Sequence, residues 1–302
     1  MKVNICYEIK DGPFGGGNQF LRALRQQFGS MGVYAEDPAN ADIILFNSHH
    51  NINNVLNLKG RHPDKKYVHR VDGPMRLYNS MEDHRDFVVY RLNDAANATV
   101  FQSEWSHKKN IDLGFNCVTP FAIISNATDE NVFNSNCARE SSEKTRLIAA
   151  SWSDNPKKGF ETYSFLDKNL DFDKYEFYFA GRSPVSFTNI ETLGALNSHD
   201  LANHMRQSDI FITASENDPC SNSLIEALAC GLPAVALNSG GHPELVGQGG
   251  TLFNDNFDLL DKIEEVRQNI QGYRENIKVK TIRDISNEYL SFFRSILDRQ
   301  GG

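Results

Sequence analysis

Two carboxylates eight residues apart, Asp218 and Glu226, stand in the stretch SENDPCSNSLIEALACGLPAVALNSGGHPELV, residues 215–246. The stretch reads as a polar turn, a short apolar helix, a strand, and a glycine pair opening another helix. Its spacing puts Asp218 in the turn before the first helix and Glu226 within that helix. Both can then face a ligand lying over the helix N-terminus. There the unsatisfied amides from about Cys220 to Ser223, with Ser221 and Asn222 among them, suit a phosphate. The helix is expected to stop at Gly231, where glycine favours the residue after a helix end, and Pro233 to open the next strand. Each carboxylate also has a bland alternative. Ser223-x-x-Glu226 has the form of a capping box, and Asp218 suits any turn near the positive end of a helix dipole.

Cations that could meet a phosphate lie upstream. Lys158 closes the turn ASWSDNPKKG (150–159), and Arg182 follows the apolar run YEFYFAG. Either could equally be an exposed loop residue. Near the start of the chain, Gly15, Gly16 and Gly17 follow an apolar run and open a helix. Position 20 is Phe20, so the glycine spacing of a dinucleotide-binding turn is not met, and a dehydrogenase loses its main support. The run YVHRVDGP (67–74) ends a buried strand in polar residues, the place where parallel sheets present ligand groups. Alternation puts His69 with Val71 on one face and Arg70 with Asp72 on the other. A lone buried histidine such as His69 can also be a satisfied core residue. The pair His49–His50 has no metal-ligand spacing and no evident carboxylate partner, and is read as loop.

The elements needed to position these residues are short β-rich runs alternating with amphipathic helical stretches. Expected strands are 3–9, 42–47, 67–71, 99–102 and 121–124 in the first half. In the second they are 146–151, 175–180, 209–214, 233–237 and 251–253. Several are continuous apolar runs, the pattern of parallel strands buried on both faces. Helices are expected at 18–28, where Phe20, Leu21, Leu24 and Phe28 share a stripe, and at 160–169, 199–206, 223–230, 257–271 and 284–299. Alternating β and α give an α/β fold of doubly wound parallel sheets. A polar stretch, NSNCARESSEKT (134–145), reads as the linker between two domains. The boundaries are 1–140 plus a returning 284–302, and 141–283.

Composition bounds the answer further. A chain of 302 residues suits two cores better than one. With 31 Lys and Arg against 39 Asp and Glu, the net charge of −8 offers no footprint for nucleic acid, and no polybasic membrane patch stands out. Cys6, Cys117, Cys137, Cys220 and Cys230 form no CxxC pair and leave one over, which favours a reducing compartment and no zinc site. The opening MKVNICYEIKDGP turns polar too early for a signal peptide, and no run of 18 apolar residues exists to span a bilayer. The expected location is cytoplasmic; peripheral contact with a membrane stays open.

Taken in order, Asp218-x7-Glu226, then ALACGLP (227–233), then GGHPE (240–244), resemble the signature of retaining GT-B glycosyltransferases of family 4. That family carries Glu-x7-Glu, so Asp218 departs from it by one methylene. The resemblance implies that Asp218 meets donor-sugar hydroxyls and Glu226 the ribose. The turn 150–159 is similar to the family's Gly-Arg-Leu-x-x-x-Lys-Gly, whose cations neutralise the donor diphosphate. Lys158 takes the lysine position, but Ser153 stands where the arginine is expected, with Arg182 as the candidate substitute. A segment around Leu196 resembles the part that holds the base through backbone groups, before a helix capped by Ser198. Gly16 and Gly17 resemble a loop that approaches the donor phosphates or the acceptor. Ser103 resembles a capping position, and Asn126 with Asp129 a loop entering the linker.

The resemblance therefore implies two Rossmann-like domains facing across a cleft, with the final helix crossing back to the first. It implies front-face, retaining transfer from a UDP- or GDP-linked sugar to a glycan or glycolipid hydroxyl, as in polysaccharide biosynthesis, with neither metal nor cofactor. Lys158, Arg182, Asp218 and Asp72 are the catalytic candidates, and His69 and Arg70 the acceptor-side candidates. Two other readings stay open: a nucleotide-sugar-binding module without activity, and another GT-B enzyme such as an epimerase.

Overall fold

Continuous apolar runs can be satisfied only where strands are closed in on both faces. In the computed structural model, which describes residues 1–10, 15–136 and 140–298, they form two separate parallel sheets. One compact unit holds residues 1–10, 17–126 and the segment from Lys280; the other holds Ala127–Val279 together with Gly15 and Gly16. Cys137, Arg299 and the centre of the expected linker (137–139) lie outside the described residues.

The first unit runs β1 (Val3–Cys6), α1 (Gly16–Ser30), β2 (Ile43–Asn47), α2 (Ile52–Arg61), β3 (Lys66–Val71), α3 (Met75–Tyr78), α4 (Arg85–Asn93), β4 (Ala98–Phe101), α5 (Glu104–Asp112) and β5 (Phe121–Ile123). Its sheet has the order β1-β2-β3-β4-β5, all parallel. A short extended piece flanks β1 on its other side. Val3 donates to Val33 O at 2.8 Å and accepts from Ala35 N at 2.9 Å, making a parallel bridge to Tyr34. The chain thus leaves β1 toward one side and resumes at β2 on the other.

The second unit continues with β6 (Thr145–Ser151), α6 (Phe160–Asn169), β7 (Tyr175–Gly181), β8 (Glu191–Gly194), α7 (Ser198–Gln207), β9 (Ile210–Thr213), α8 (Asn222–Ala229), β10 (Ala234–Leu237), α9 (His242–Val246), β11 (Gly250–Phe253), α10 (Asn256–Gln268) and α11 (Ile270–Glu275). Its order is β11-β10-β9-β6-β7-β8. The winding direction therefore reverses between β6 and β9. One core layer packs Phe160, Tyr163, Leu166, Phe177 and Phe179 against α10; the other packs Met205, Leu224, Leu228 and Phe211. The last helix, α12 (Ile282–Asp298), belongs to the first unit, where Tyr289 and Phe293 meet Phe20 and Phe28 of α1.

Several local expectations are corrected. The first strand stops at Cys6 because Tyr7 N–H turns back to Ile5 O at 2.9 Å, a three-residue turn. The edge strand β8 was not foreseen, since ETLG is too short and too polar to show alternation. The helix expected over 257–271 breaks at Asn269, whose φ of −142° is not helical. Asn197 caps α7 in place of Ser198, accepting from Asp200 N at 3.0 Å. Ser103 caps α5 as expected, accepting from Ser106 N at 3.0 Å.

Candidate functional site

Ligands of open α/β sheets bind beyond the carboxyl ends of the strands, where the winding direction reverses. In the second unit that point lies between β6 and β9. The loop after β6 carries Ser153, Lys157 and Lys158; the loop after β9 carries Glu216, Asn217 and Asp218. The two loops are tied by charge. Lys158 Nζ lies 2.9 Å from Asp218 Oδ2 and Lys157 Nζ 2.6 Å from Glu216 Oε2, while Glu216 N–H donates to Lys157 O at 2.7 Å. Glu216 has no place in the family-like spacing, and only the fold reveals its lysine partner.

Two glycines make this approach sterically feasible. Gly159 sits at φ +82°, and a Cβ there would fall 2.4 Å from the Ala214 side chain. Gly240, at φ +63°, lies so close behind the Asp218 backbone that a Cβ would sit 2.2 Å from Asp218 O. Its neighbour Gly241 donates to the same oxygen at 2.8 Å. The glycine pair is therefore the clasp that fixes Asp218. Asn217 adopts a left-handed φ of 54° in the same turn, which asparagine tolerates better than most residues, and its N–H donates to Ser239 Oγ at 3.0 Å.

The electrostatics follow from this enclosure. Burial would raise the Asp218 carboxyl, but the Lys158 charge and hydrogen bond, the nearby His242 and the Cys220 amide outweigh it and hold it below its ordinary value. His242 is itself fully buried, and burial pushes its imidazole down. Its Nδ1 faces Leu237 O at 2.9 Å and so carries the proton, leaving Nε2 buried with no hydrogen-bond partner among the described residues.

Helix α8 begins beside this pair. Its cap is Ser221, not Ser223, and it makes no side-chain cap bond; Ser221 and Ser223 hydroxyls stand 3.4 Å apart. The capping box is therefore not formed. Glu226 lies further into the helix, half-buried at its surface yet enclosed by protein, and desolvation alone pushes its carboxyl up to about 8. Asn222, the first helical residue, is also half-buried. The site thus combines a held cation, a held carboxylate, a helix N-terminus and a carboxyl poised to gain a partner.

Arg182 follows β7 at its carboxyl end. Its N–H donates to Ser151 O at 2.9 Å, and its exposed guanidinium lies over the Trp152 ring, 4.5 Å from the centroid. Ser153 holds its own loop, accepting from Asn155 N at 3.2 Å through Oγ. Leu196 lies half-buried between β8 and α7. Gly16 and Gly17 are the first residues of α1, after β1, and a Cβ on Gly17 would meet nothing within 4 Å.

In the first unit, polar residues from the ends of successive strands converge. Arg70 is fully buried and donates to Asp72 Oδ1 at 2.8 Å, to Asn126 Oδ1 at 2.6 Å and to Asn47 Oδ1, with its guanidinium 4.9 Å from the Phe20 ring centroid. Gln102 also donates to Asp72, and Asn126 to Gln102 Oε1 at 3.2 Å. The outcome is one carboxylate, Asp72, locked in place and partly open to solvent. His69 and Arg70 themselves are not available to an acceptor. His69 is wholly enclosed, stacked on Phe46, with Nε2–H donating to Ser48 O at 2.9 Å and Nδ1 accepting from Asn93 at 3.1 Å. Burial lowers its pKa to about 4, so it is neutral. His69 and Arg70 are buttresses, and Asp72 is the group they leave facing outward.

Among the described residues, no group of three His, Cys, Asp or Glu side chains could hold a metal ion, and no helix is long and apolar enough to cross a membrane. Among the described residues, Cys6, Cys117, Cys220 and Cys230 form no disulfide with one another.

Residues 166–269 match the family model for Glycosyl transferases group 1, a span that includes Asp218, Glu226 and the glycine clasp. A sulfoquinovosyl transferase of Arabidopsis thaliana is 32% identical over 89 residues, 28% of this chain and 16% of that protein's length. Over whole chains, a sucrose-phosphate synthase from Thermosynechococcus elongatus superposes with a TM-score of 0.78 at 13% identity, covering 98% of this chain and 99% of its own. HepE of Anabaena, solved in complex with UDP, gives 0.74 at 15% identity, covering 98% and 100%. The fold is the GT-B fold of two Rossmann-like domains.

Proposed function

We propose that the chain is a glycosyltransferase whose second unit binds a UDP- or GDP-linked sugar, and whose first unit receives a hydroxyl acceptor on a glycan or glycolipid. One observation carries this reading: Lys158 and Asp218 meet at the switch point of the second sheet, ahead of the α8 N-terminus and of Glu226, whose carboxyl burial raises. That is the equipment for a diphosphate, a sugar hydroxyl and a ribose, in that order of position. The UDP complex of HepE, which shares the fold, supports the donor class.

In the proposed reaction the bond from the anomeric carbon to the donor diphosphate breaks, and the acceptor oxygen bonds to that carbon on the same face. The departing diphosphate oxygen takes the acceptor proton, so configuration is retained without a protein nucleophile. Lys158, Arg182 and the α8 amides would hold the charge that develops on the diphosphate. Asp218 would orient the sugar, and Asp72 the acceptor side. No metal is needed in this scheme, because lysine and helix amides supply the positive field. A cytoplasmic location goes with the same proposal.

Calorimetry of UDP and GDP in excess EDTA tests it. Binding of either is expected, followed by slow donor hydrolysis in the absence of acceptor. Binding that requires Mg²⁺ or Mn²⁺ would remove the metal-independent scheme, and tight binding with no turnover would leave only a nucleotide-sugar-binding module.

A further inference from the structure

The first unit has a switch point of its own, and the side chains there are not used by the donor chemistry. The chain leaves β1 toward the Tyr34 bridge and resumes at β2 on the opposite side, so the loops after β1 and β2 part at the crevice position where open α/β sheets take their ligands. Tyr7 follows β1; His49 and His50 follow β2. The two imidazoles stack at 4.4 Å with planes 30° apart, and Tyr7 meets His50 edge-on at 5.4 Å. All three residues are half-buried and so partly open to solvent.

The turn that carries the imidazoles is built for rigidity. Ser48 and Asn51, at φ 48° and 55°, flank the pair in left-handed conformations that non-glycine residues rarely adopt. Ser48 N–H donates to Arg70 O at 2.8 Å, Ser48 O accepts from His69, and His50 N–H donates to Asn47 O at 3.0 Å. The buried His69 and the Arg70 strand thus hold the turn from below. Core packing alone does not account for it, because both residues are only half-buried.

The rings are also kept uncharged. Desolvation is the main cause that lowers both imidazoles; Arg85 adds to it for each, with His50 for His49 and with Arg70 and Lys10 for His50, while Asp72 opposes for both and Asp83 for His49. What faces the crevice is flat, neutral and hydrogen-bonding, with one fixed carboxylate beside it. Such a surface matches a hydroxylated ring, whose C–H face lies on an aromatic plane while its hydroxyls donate to a carboxylate or an imidazole nitrogen.

We propose that Tyr7, His49, His50 and Asp72 form a platform for a pyranose ring, with His50 as the stacking face and Asp72 as acceptor of a ring hydroxyl. Calling this ring part of the transfer acceptor rests on the function proposed above; the platform itself does not.

The test uses the full chain saturated with UDP, methyl α-D-glucopyranoside as probe, and glycerol as a polyol with no ring. The imidazole C–H signals of His49 and His50 are followed by NMR. The glycoside is expected to shift both signals saturably, and glycerol neither. His50→Gln should weaken the glycoside roughly five- to tenfold, the scale of a lost ring contact, whereas His50→Phe should keep it within about twofold. Retained UDP binding in each variant reports an intact fold. If the glycoside leaves both signals in place, if glycerol shifts them equally, or if His50→Gln binds as well as the native chain, the platform is wrong. Should UDP fail to bind while the glycoside shifts both imidazoles, the transferase reading falls and the platform stands.

Discussion

The two switch points of this molecule are equipped in opposite ways. At the second, between β6 and β9, ion pairs lock two loops together and glycines without room for a side chain let them touch. At the first, between β1 and β2, the carboxylate Asp72 is partly open to solvent, and the half-buried rings of Tyr7, His49 and His50 lie within its electrostatic reach. A buried guanidinium there is spent wholly on positioning. The difference is the one expected of a site that must stabilise a departing diphosphate, set against one that must hold a neutral polyol without repelling it. Charge develops at the first kind of ligand and not at the second. The predictions that follow probe that contrast.

The largest effect belongs to Lys158. On the function proposed above its removal takes a cation from the diphosphate, and in any case it leaves Asp218 enclosed without its main counter-charge. Lys158→Ala should lower kcat/KM by roughly 10²–10³, the loss expected of one preorganised charge stabiliser. It should also lower stability, by up to about 3–5 kcal/mol if Asp218 stays buried and ionised. The pH sign is fixed: a carboxyl depressed by folding contributes stability above its unfolded value, and loses it as pH falls through the folded value. That acid-side loss should flatten in Lys158→Ala, as followed by thermal melts from pH 6 to pH 3. An unchanged acid limb would show that the pair adds nothing to folding.

A smaller effect isolates geometry from charge. Gly240→Ala must push a methyl against Asp218 O at positive φ, whereas Gly247→Ala meets open space at φ +50°. Both bear backbone strain of about 1–3 kcal/mol. Only Gly240→Ala should cost turnover as well, by roughly tenfold or more if Asp218 moves by about 1 Å. Equal kcat values for the two variants would mean the clasp does not set the position of Asp218.

These residues also show what the sequence makes legible. Asp218, Glu226 and the glycine pair are legible because they lie within one linear stretch whose order and spacing resemble a family signature, and Lys158 because it lies in a second, shorter one. The parallel strands were evident because apolar runs have few other homes. The first unit was harder to read. Its carboxylate depends on Asn47, Gln102 and Asn126, each from a different strand end, and no local spacing announces that they meet. His49 and His50 lie in a loop, as their sequence suggests, but the left-handed Ser48 and Asn51 that flank them are not announced by any local pattern. His69 drew attention by its type, yet burial made it a buttress. The Ser223–Glu226 capping box was a correct pattern in the wrong register, since the helix starts after Ser221.

Arg182 sharpens the contrast at an intermediate scale. Ser153 has no charge to offer, and the structure places the Arg182 guanidinium over the Trp152 ring, exposed at the end of β7. If it shares the diphosphate charge with Lys158, Arg182→Ala should reduce kcat/KM by about 1.5–3 kcal/mol, the worth of a charged hydrogen bond. Arg182→Lys should recover only part, because the planar fork and the stacking are lost. Trp152→Ala should resemble Arg182→Lys, since an untethered guanidinium samples more positions. A nucleotide-bound structure with Arg182 still turned away from the phosphates would assign the charge to Lys158 and a neighbour such as Lys157.

The mildest test reads a proton. Glu226 has a carboxyl raised to about 8 by desolvation alone, so it is largely protonated at neutral pH before a ligand arrives. A ribose diol donating two hydrogen bonds to it would favour the carboxylate and lower its pKa. Nucleotide binding near pH 7 should therefore release close to one proton, seen as a calorimetric heat that varies with the ionisation enthalpy of the buffer. Glu226→Gln should abolish that dependence while weakening UDP by only about 1–1.5 kcal/mol, because the amide oxygen still accepts. The ligand-free protein carries the opposite sign. A carboxyl raised by folding erodes stability as pH climbs from its unfolded value, near 4.5, to its folded value, near 8, and not further. Glu226→Gln should thus melt higher than the native chain at pH 8 and no higher at pH 4. Proton release that persists in Glu226→Gln would move the titration to another group, and not to His242, whose imidazole burial already holds below its ordinary value against the opposing pull of Asp218.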